Sequence, residues 1–550
     1  MASTDDIVSQ RIISIGGLNT NEASLTLSDQ APGCATALVN FEVSKAGGYR
    51  RINGYQPLDN MALEVGEGLA EGPVLGVWII FNSTTKIYET IAARADTGGA
   101  TYSFWLLNGG VNWTQIVTPV RNMTGPNSIV TIVRFAEFNF GSGNNVIFVD
   151  GVNPALWYDG VAWEEILSTN TGTVSTDAGG DQALDAPAIV TVFKNHIFIG
   201  LDPSIDGEGR FAHSAPNTPY DWTAANGAGQ LFPGFNAIAL KPFRDELYIF
   251  GKEKIQRAVP DVTSGFLLQA VTDDIGCVST DSVLEVAANL IFLSPDGIRP
   301  VAGTEKINDV ELGLLSRDIQ PIIDALTPSD IEGLVGVVIR GKTQFRYFYG
   351  IGLQDAIDSK GIVGGARINQ RQGSKAWEFG ELLGIRASTV FSGFVNGSEI
   401  VIHGDYDGNV YQQEVGSSFN GENIFSIYSS PFLDFSATDI RKLMRKITVF
   451  IDAEGSLTSV LGLTFDWGDQ VAIQPNNYTT LVSSGSSLYD ALTSIYDAVN
   501  TLYGGTSRTL IRVNLQGSAF SVKFNFVNIG TDPSFTITGF VPEFSIKGRN

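Results

Sequence analysis

Residues 145–151 read NVIFVDG, a short apolar run of β-branched and aromatic residues closed by an Asp-Gly pair. Such a run suits a buried strand, and Asp-Gly tolerates the positive φ of a tight hairpin turn. The same phrase recurs as VWIIF (77–81), HIFIG (196–200), ELYIFG (246–251), LIFLSPDG (290–297), RYFYGIG (346–352) and EIVIHGDYDG (399–408). From Phe148, the matching positions Ile199, Ile249, Phe292, Phe348 and Ile402 follow at steps of 51, 50, 43, 56 and 54 residues. Each step has room for four short strands, the spacing of propeller blades. A four-stranded blade cannot bury both of its faces alone, so neighbouring blades stack around an axis. The alternative is a large β-sandwich or tandem sandwiches, because no WD or kelch signature is present. The longer step of 68 residues from Ile80 to Phe148 leaves the blade count open.

The remainder of the chain agrees with an all-β reading. Its 61 glycines in 550 residues exceed the usual share of about 7%, as frequent turns require. We expect an N-terminal arm and assembly segment over residues 1–60, a β-propeller-like domain over 61–430 and a C-terminal β platform over 431–550. The last is read from the long alternating strands RKLMRKITVFIDA (441–453) and GSAFSVKFNFVNIG (517–530). Within it, an insert at about 470–509 carries SSLYDALTSIYDAVNTL (486–502), whose Leu488, Leu492, Ile495, Val499 and Leu502 mark one face of a helix. LLSRDIQPIIDAL (314–326) is the other helical candidate.

With 35 Lys+Arg against 58 Asp+Glu the formal charge is −23, which argues against gripping nucleic acid or an anionic membrane. No basic n-region precedes an apolar core at the N-terminus, and the longest apolar runs fall short of the roughly 20 residues a spanning helix needs. The expectation is a soluble protein made in a cytoplasm.

Candidate chemistry is sparse. Glu164 and Glu165, or Asp405 and Asp407, are the carboxylate pairs a glycosidase would need, but each sits where a turn carboxylate is expected. Asp405, Asp407 and Asn409 alternate as calcium ligands do, without the downstream glutamate of an EF-hand. SPDGIRP (294–300) only grazes the sialidase Asp-box. His196, His213 and His403 are dispersed and fit no hydrolase relay; Cys34 and Cys277 are too few for a zinc cluster. No phosphate loop is present. The aromatic groups in YSFWLL (102–107), PALWYDG (154–160) and PYDWT (219–223) read as wedges between blades, with sugar stacking as the alternative. No catalytic residue, metal site or cofactor is expected.

The opening GGLNTNEASLTLSDQAPGCATALVNFEVSKAGGYRRINGY (16–55), with Asn40 and Phe41 ahead of a basic turn, resembles the start of tail nozzle or tail tubular proteins of short-tailed bacteriophages. APNTPYDWT (215–223), LIFLSPDGIRPVAG (290–303) and the closing ITGFVPEFSIKGR are similar to the same group. The resemblance implies a virion tail subunit forming a ring, typically of six copies, below the adaptor and portal. It further implies contacts with tail fibres or spikes, a conduit for viral DNA without specific binding, and retention of the packaged genome by gate residues that remain unknown. The alternative is a tail-associated adhesin or a lectin- or glycosidase-type propeller. Lys45, Arg50 and Arg51 form the positive spot of an acidic N-terminal third and are the assembly-interface candidates. Exchanging Arg50 and Arg51 for Glu is expected to weaken assembly with the monomer still folded.

Overall fold

The computed structural model describes residues 7–45, 47–58, 72–108, 112–125, 129–141, 143–166, 186–201, 209, 211–261, 265–301, 313–350, 359–369, 374–469, 471–482 and 508–547. Among them, seven antiparallel sheets stand radially. Their inner strands are Val74–Asn82, Arg134–Asn139, Pro187–Phe193, Ala239–Phe243, Leu284–Val286, Val335–Ile339 and Thr389–Val395, which open blades 1 to 7. The last inner strand packs on the first, and all seven line one axial cavity, so the fold is a β-propeller.

The periodic residues explain themselves in this frame. Phe148, Ile199, Ile249, Phe292, Phe348 and Ile402 all lie on the second strand of their blade. A second strand has sheet neighbours on both edges and blades on both faces, and these six side chains are at most 1% exposed. Ile80 belongs instead to the first strand of blade 1. The second strand there is Ile87–Ala95, where the fully buried Ile91 lies 57 residues before Phe148. The long interval therefore holds no additional blade. Of the aromatic runs, 102–107 supplies Phe104 to a wedge between blades 1 and 2, where it packs with Trp78, Phe148 and Trp163 at ring centroids 4.9–6.3 Å apart, whereas Tyr220 of 219–223 is exposed and packs on Trp157 of 154–160.

Blade 7 has three strands of its own, Thr389–Val395, Ser398–Gly404 and Val410–Gln413. Its fourth comes from the other end of the chain: Tyr55–Pro57 pairs antiparallel with Val410–Gln413, placing Gln56 opposite Gln412. Tyr55 is pinned there by Phe419, Tyr411 and His403, each ring centroid 5.0 Å away. The propeller is thus closed by hydrogen bonds between residues more than 350 positions apart.

The platform is two packed sheets. One is the continuation of blade 6: after Ser374–Leu383, the short strand Ala37–Val39 bridges to Ile424–Ser429, Val522–Gly530, Leu457–Phe465 and Tyr478–Val482. The other joins Arg508–Asn514, Arg441–Ala453 and Phe535–Lys547 to the N-terminal strands Ile7–Ser9, Ile12–Ile13, Tyr49–Arg51 and Phe41–Val43. One apolar core runs from Leu293 and Phe345 of blades 5 and 6 to Tyr49, Ile447, Phe526 and Phe540 of the platform. Residues 7–58, expected as an arm, are therefore threaded through both platform sheets and the propeller. In the 314–326 segment the structure forms a 3-10 turn, Arg317–Ile319, and a helix, Gln320–Asp324. The helix expected at 486–502 lies outside the described residues.

Inner and second strands are joined by tight turns that need positive φ. Asn195, Asn396 and Gly397 are residues suited to it, whereas Lys194 (φ 47°) and, in blade 5, Ala287 (φ 53°) and the exposed Ala288 (φ 60°) are not. The left-handed region costs an L-residue with a Cβ roughly 1–2 kcal/mol, partly offset for glycine by its greater unfolded-state entropy. The variant A288G is expected to raise unfolding stability by up to about 1 kcal/mol, read from urea midpoints at unchanged m-value.

Candidate functional site at the propeller axis

The inner strands enclose an axial cavity of about 420 Å³. One polar bond crosses it. Arg134, at the start of the blade 2 inner strand, donates Nε to Asp281 Oδ1 (3.2 Å) and Nη2 to Asp281 Oδ2 (2.7 Å), just ahead of blade 5. Its Nη1 reaches Ala188 O of blade 3 at 3.2 Å. A bidentate guanidinium–carboxylate pair fixes direction as well as distance, so blades 2, 3 and 5 are tied across the axis.

The rest of the cavity wall is mixed. Lys241 projects from the centre of the blade 4 inner strand, Glu285 from blade 5, and Arg340 follows the inner strand of blade 6. Burial pulls the Lys241 ammonium below the usual lysine range; Glu285 opposes this, Arg340 adds to it, and Asp281 opposes it. Glu399 is already engaged, accepting from the Arg340 and Gly341 backbone N–H groups at 2.7 Å each and from Ser392 Oγ at 3.0 Å. Its carboxylate lies only 3.9 Å from the Arg340 guanidinium. None of these residues stood out in the sequence; the one available signal was a lysine inside the apolar stretch AIALKPF (237–243).

The three N-terminal cations lie elsewhere, at the seam of propeller and platform. Arg51 is fully buried, donating to Gly530 O at 2.6 Å, to Asp532 O and to Ser426 Oγ at 3.3 Å. Burial draws its guanidinium down to about 10, with Asp532 opposing, so it stays charged at neutral pH. Arg50 pairs with Glu42 (3.0 Å) and Glu454 (2.8 Å). Lys45, at the surface, donates to Gly341 O. Beneath Arg50, Glu42 also accepts from Lys342 (2.6 Å) and from the buried Arg346 (3.1 Å), and Arg346 reaches Glu414 at 2.5 Å. Burial pushes the Glu414 carboxyl up, but Arg346 and Lys342 together hold it down at about 2.

The carboxylates weighed as catalysts are occupied. Asp405 accepts from the Asp407 and Asn409 backbone N–H groups and from Asn409 Nδ2, a turn clamp. Asp407 pairs with Arg386 at 2.6 Å, and Glu165 with Arg121 at 3.3 Å. Glu164 lies on the outermost strand of blade 2. Asp296 takes bonds from Ser294 Oγ and Arg299 across its own hairpin. Among the described residues, no three His, Cys, Asp or Glu side chains are grouped as metal ligands, and Cys34 and Cys277 are separate buried thiols. No described helix is long and apolar enough to cross a membrane.

No known protein family and no curated protein matches this sequence. Among solved structures, the chain is similar to the computationally designed Ika8 protein at 11% identity and a TM-score of 0.32, covering 66% of this chain and 100% of that one. It is also similar to the extracellular domain of a hybrid two-component system from B. thetaiotaomicron, at 9% identity and a TM-score of 0.36, covering 68% of this chain and 41% of that one. A third likeness is an exo-β-1,3-galactanase from Phanerochaete chrysosporium, at 9% identity and a TM-score of 0.26, covering 90% of this chain and 100% of that one. These likenesses assign no activity to the chain.

Two consequences of burial are testable. Charge reversal at Arg51 places a carboxylate against backbone carbonyls, so R51E is expected to destabilise the monomer itself by about 3 kcal/mol or more, seen in its urea midpoint. Assembly is therefore better probed through Lys45 and Arg50. His403 is fully enclosed against Tyr55 and Tyr411, and burial lowers its pKa from 6.5 to about 3. Between those values the unfolded chain binds the proton and the fold does not, so stability falls as pH drops from about 6.5 towards 3. H403F is expected to flatten that part of the thermal midpoint–pH profile while changing the midpoint at pH 8 by only a few degrees.

Proposed function

We propose that this chain is a structural subunit of a phage tail nozzle: copies close into a ring below the adaptor and portal. The ring's lumen conducts viral DNA without specific binding, and its outer surface docks fibres or spikes. The reading begins from the sequence resemblance, which runs through most of the chain in order.

The observation that carries it is an uncovered apolar row on the outer face of the platform. Ile13 lies opposite Gly539, Gly539 opposite Phe450, and Phe450 opposite Leu510, so one lateral line crosses four strands. Its side chains are 52%, 38% and 44% exposed at Ile13, Phe450 and Leu510. Residues directly opposite in a sheet share a face, and an apolar stripe on a well-ordered sheet is a surface built to be covered. Heterologous, head-to-tail contact through such a face closes rings. The net charge of −23 supports a lumen that repels the phosphate backbone rather than holding it. The Arg134–Asp281 bond also bears on the reading. It crosses the propeller's own axis, so any genome path runs between copies and not through a single propeller.

The test is solution mass by light scattering with negative-stain imaging, with and without a portal–adaptor template. Rings with a central hole are expected, and F450K with L510K is expected to abolish them while the monomer's thermal midpoint moves by only a few degrees. A wild-type monomer that ignores the template and binds oligosaccharide would replace this reading with the adhesin or glycosidase-type propeller.

A further inference from the structure

The axial cavity holds a cation, Lys241, without a direct ion pair among the described residues. Its five neighbouring charges divide unevenly. Arg134 and Asp281 satisfy each other through two hydrogen bonds. Glu399 is saturated by two backbone N–H groups and Ser392, and Arg340 stands 3.9 Å from it. The Lys241 ammonium has no hydrogen bond and no ion pair among the described residues; Glu285 and Asp281 act on its charge only from beyond salt-bridge distance. Arg340 is near enough for its positive charge to act on Lys241 as well. The half-buried Lys241 and the exposed Arg340, which Glu399 already faces at 3.9 Å, thus share one wall region of an open-mouthed pocket.

Lys241 is half-buried, and an ammonium drawn partly out of water gains from an anionic partner. Concave pockets that bind small molecules combine apolar walls with a few convergent polar groups. Here the apolar part is formed by Val190, Leu240, Val337 and Phe391, and Thr280, Thr389 and Ser392 also line the space; the Thr280 and Ser392 hydroxyls already donate to Ile238 O and Glu399 and are left to accept. The volume of about 420 Å³ admits a molecule of monosaccharide size.

The geometry points to a small-molecule anion site at the propeller axis, in which a compact carboxylate-bearing ligand places its carboxylate between Lys241 and Arg340 and its hydroxylated body against the threonine and serine side chains. A neutral molecule of the same shape leaves Lys241 unpaired and is discriminated against. This assignment is independent of ring formation, because the cavity lies wholly within one propeller.

The experiment is isothermal titration of the full chain, using the F450K/L510K double variant alongside wild type so that assembly does not enter the heats. The probes are glucuronate, glucose and inorganic phosphate. Glucuronate is expected to bind saturably with one site per chain, and glucose at least tenfold more weakly. Displacement of glucuronate by phosphate would assign recognition to anionic charge in general; failure of phosphate to compete would assign it to the planar carboxylate. K241M is expected to weaken glucuronate binding at least tenfold, with its thermal midpoint equal to or above wild type, since an unpaired ammonium is removed. No saturable heat with any of the three probes overturns the proposal. So does undiminished glucuronate affinity in K241M, or a K241M midpoint well below wild type, which would show that the ammonium is already satisfied within the fold.

Discussion

Arg346 is the side chain on which three separate parts of the chain converge. It is 1% exposed, and it bonds Glu42 from the N-terminal strands, Glu414 from the end of blade 7 and Gln413 beside it, while standing on blade 6. Lys342 and Arg50 complete the cluster. Replacing a buried ion cluster by apolar residues is often neutral for stability, so its role is better sought in specificity. A one-residue slip of Tyr55–Pro57 against blade 7 would turn Tyr55 away from its aromatic cage. It would also pull Glu42 away from Arg346, because only thirteen residues separate Glu42 from Tyr55. Charge pairing and aromatic packing therefore specify the same register, and ring closure follows from that register.

The periodic part of this architecture was legible because second strands are buried on every side. That environment favours a mostly apolar run, broken only where a buried polar group such as Arg346 is paired, and such a run is visible in a single sequence. Blade 1 misled the spacing for the same reason: its first strand, VLGVWIIFN (74–82), is nearly as buried as a second strand elsewhere, while its true second strand, IYETIAARA (87–95), begins with exposed Ile87 and Tyr88. The N-terminal threading was not legible. Strands such as Tyr49–Arg51 and Tyr55–Pro57 are three residues long, and their meaning lies in partners hundreds of positions away. Arg51 shows the limit most clearly: an arginine in a basic turn reads as surface charge, and nothing local reveals the carbonyls of Gly530 and Asp532 that enclose it.

The chemistry divides along similar lines. Turn carboxylates declared themselves through their Asp-Gly contexts, and Asp405 and Asp296 do clamp their own hairpins. The axial residues did not, since Arg134, Lys241, Asp281 and Arg340 come from four different blades, and only the closed ring makes them neighbours.

The shared sheet between blade 6 and the platform has a mechanical consequence. In a propeller joined to a second domain by a linker, the two bodies turn independently. Here Ala37–Val39 inserts between Ser374–Leu383 and Ile424–Ser429, so hydrogen bonds run from the propeller axis to the far edge of the platform without a break. The core follows the same path, from Leu293 to Phe540. Rotation of one body against the other would have to break the single bridging strand and part a continuous apolar interior, and close-packed interiors transmit strain rather than absorb it. The apolar row at Ile13, Phe450 and Leu510 is therefore held in fixed orientation to the propeller. For the ring proposed above, such fixed orientation would matter, because any play at each subunit would accumulate around the circle and leave it open.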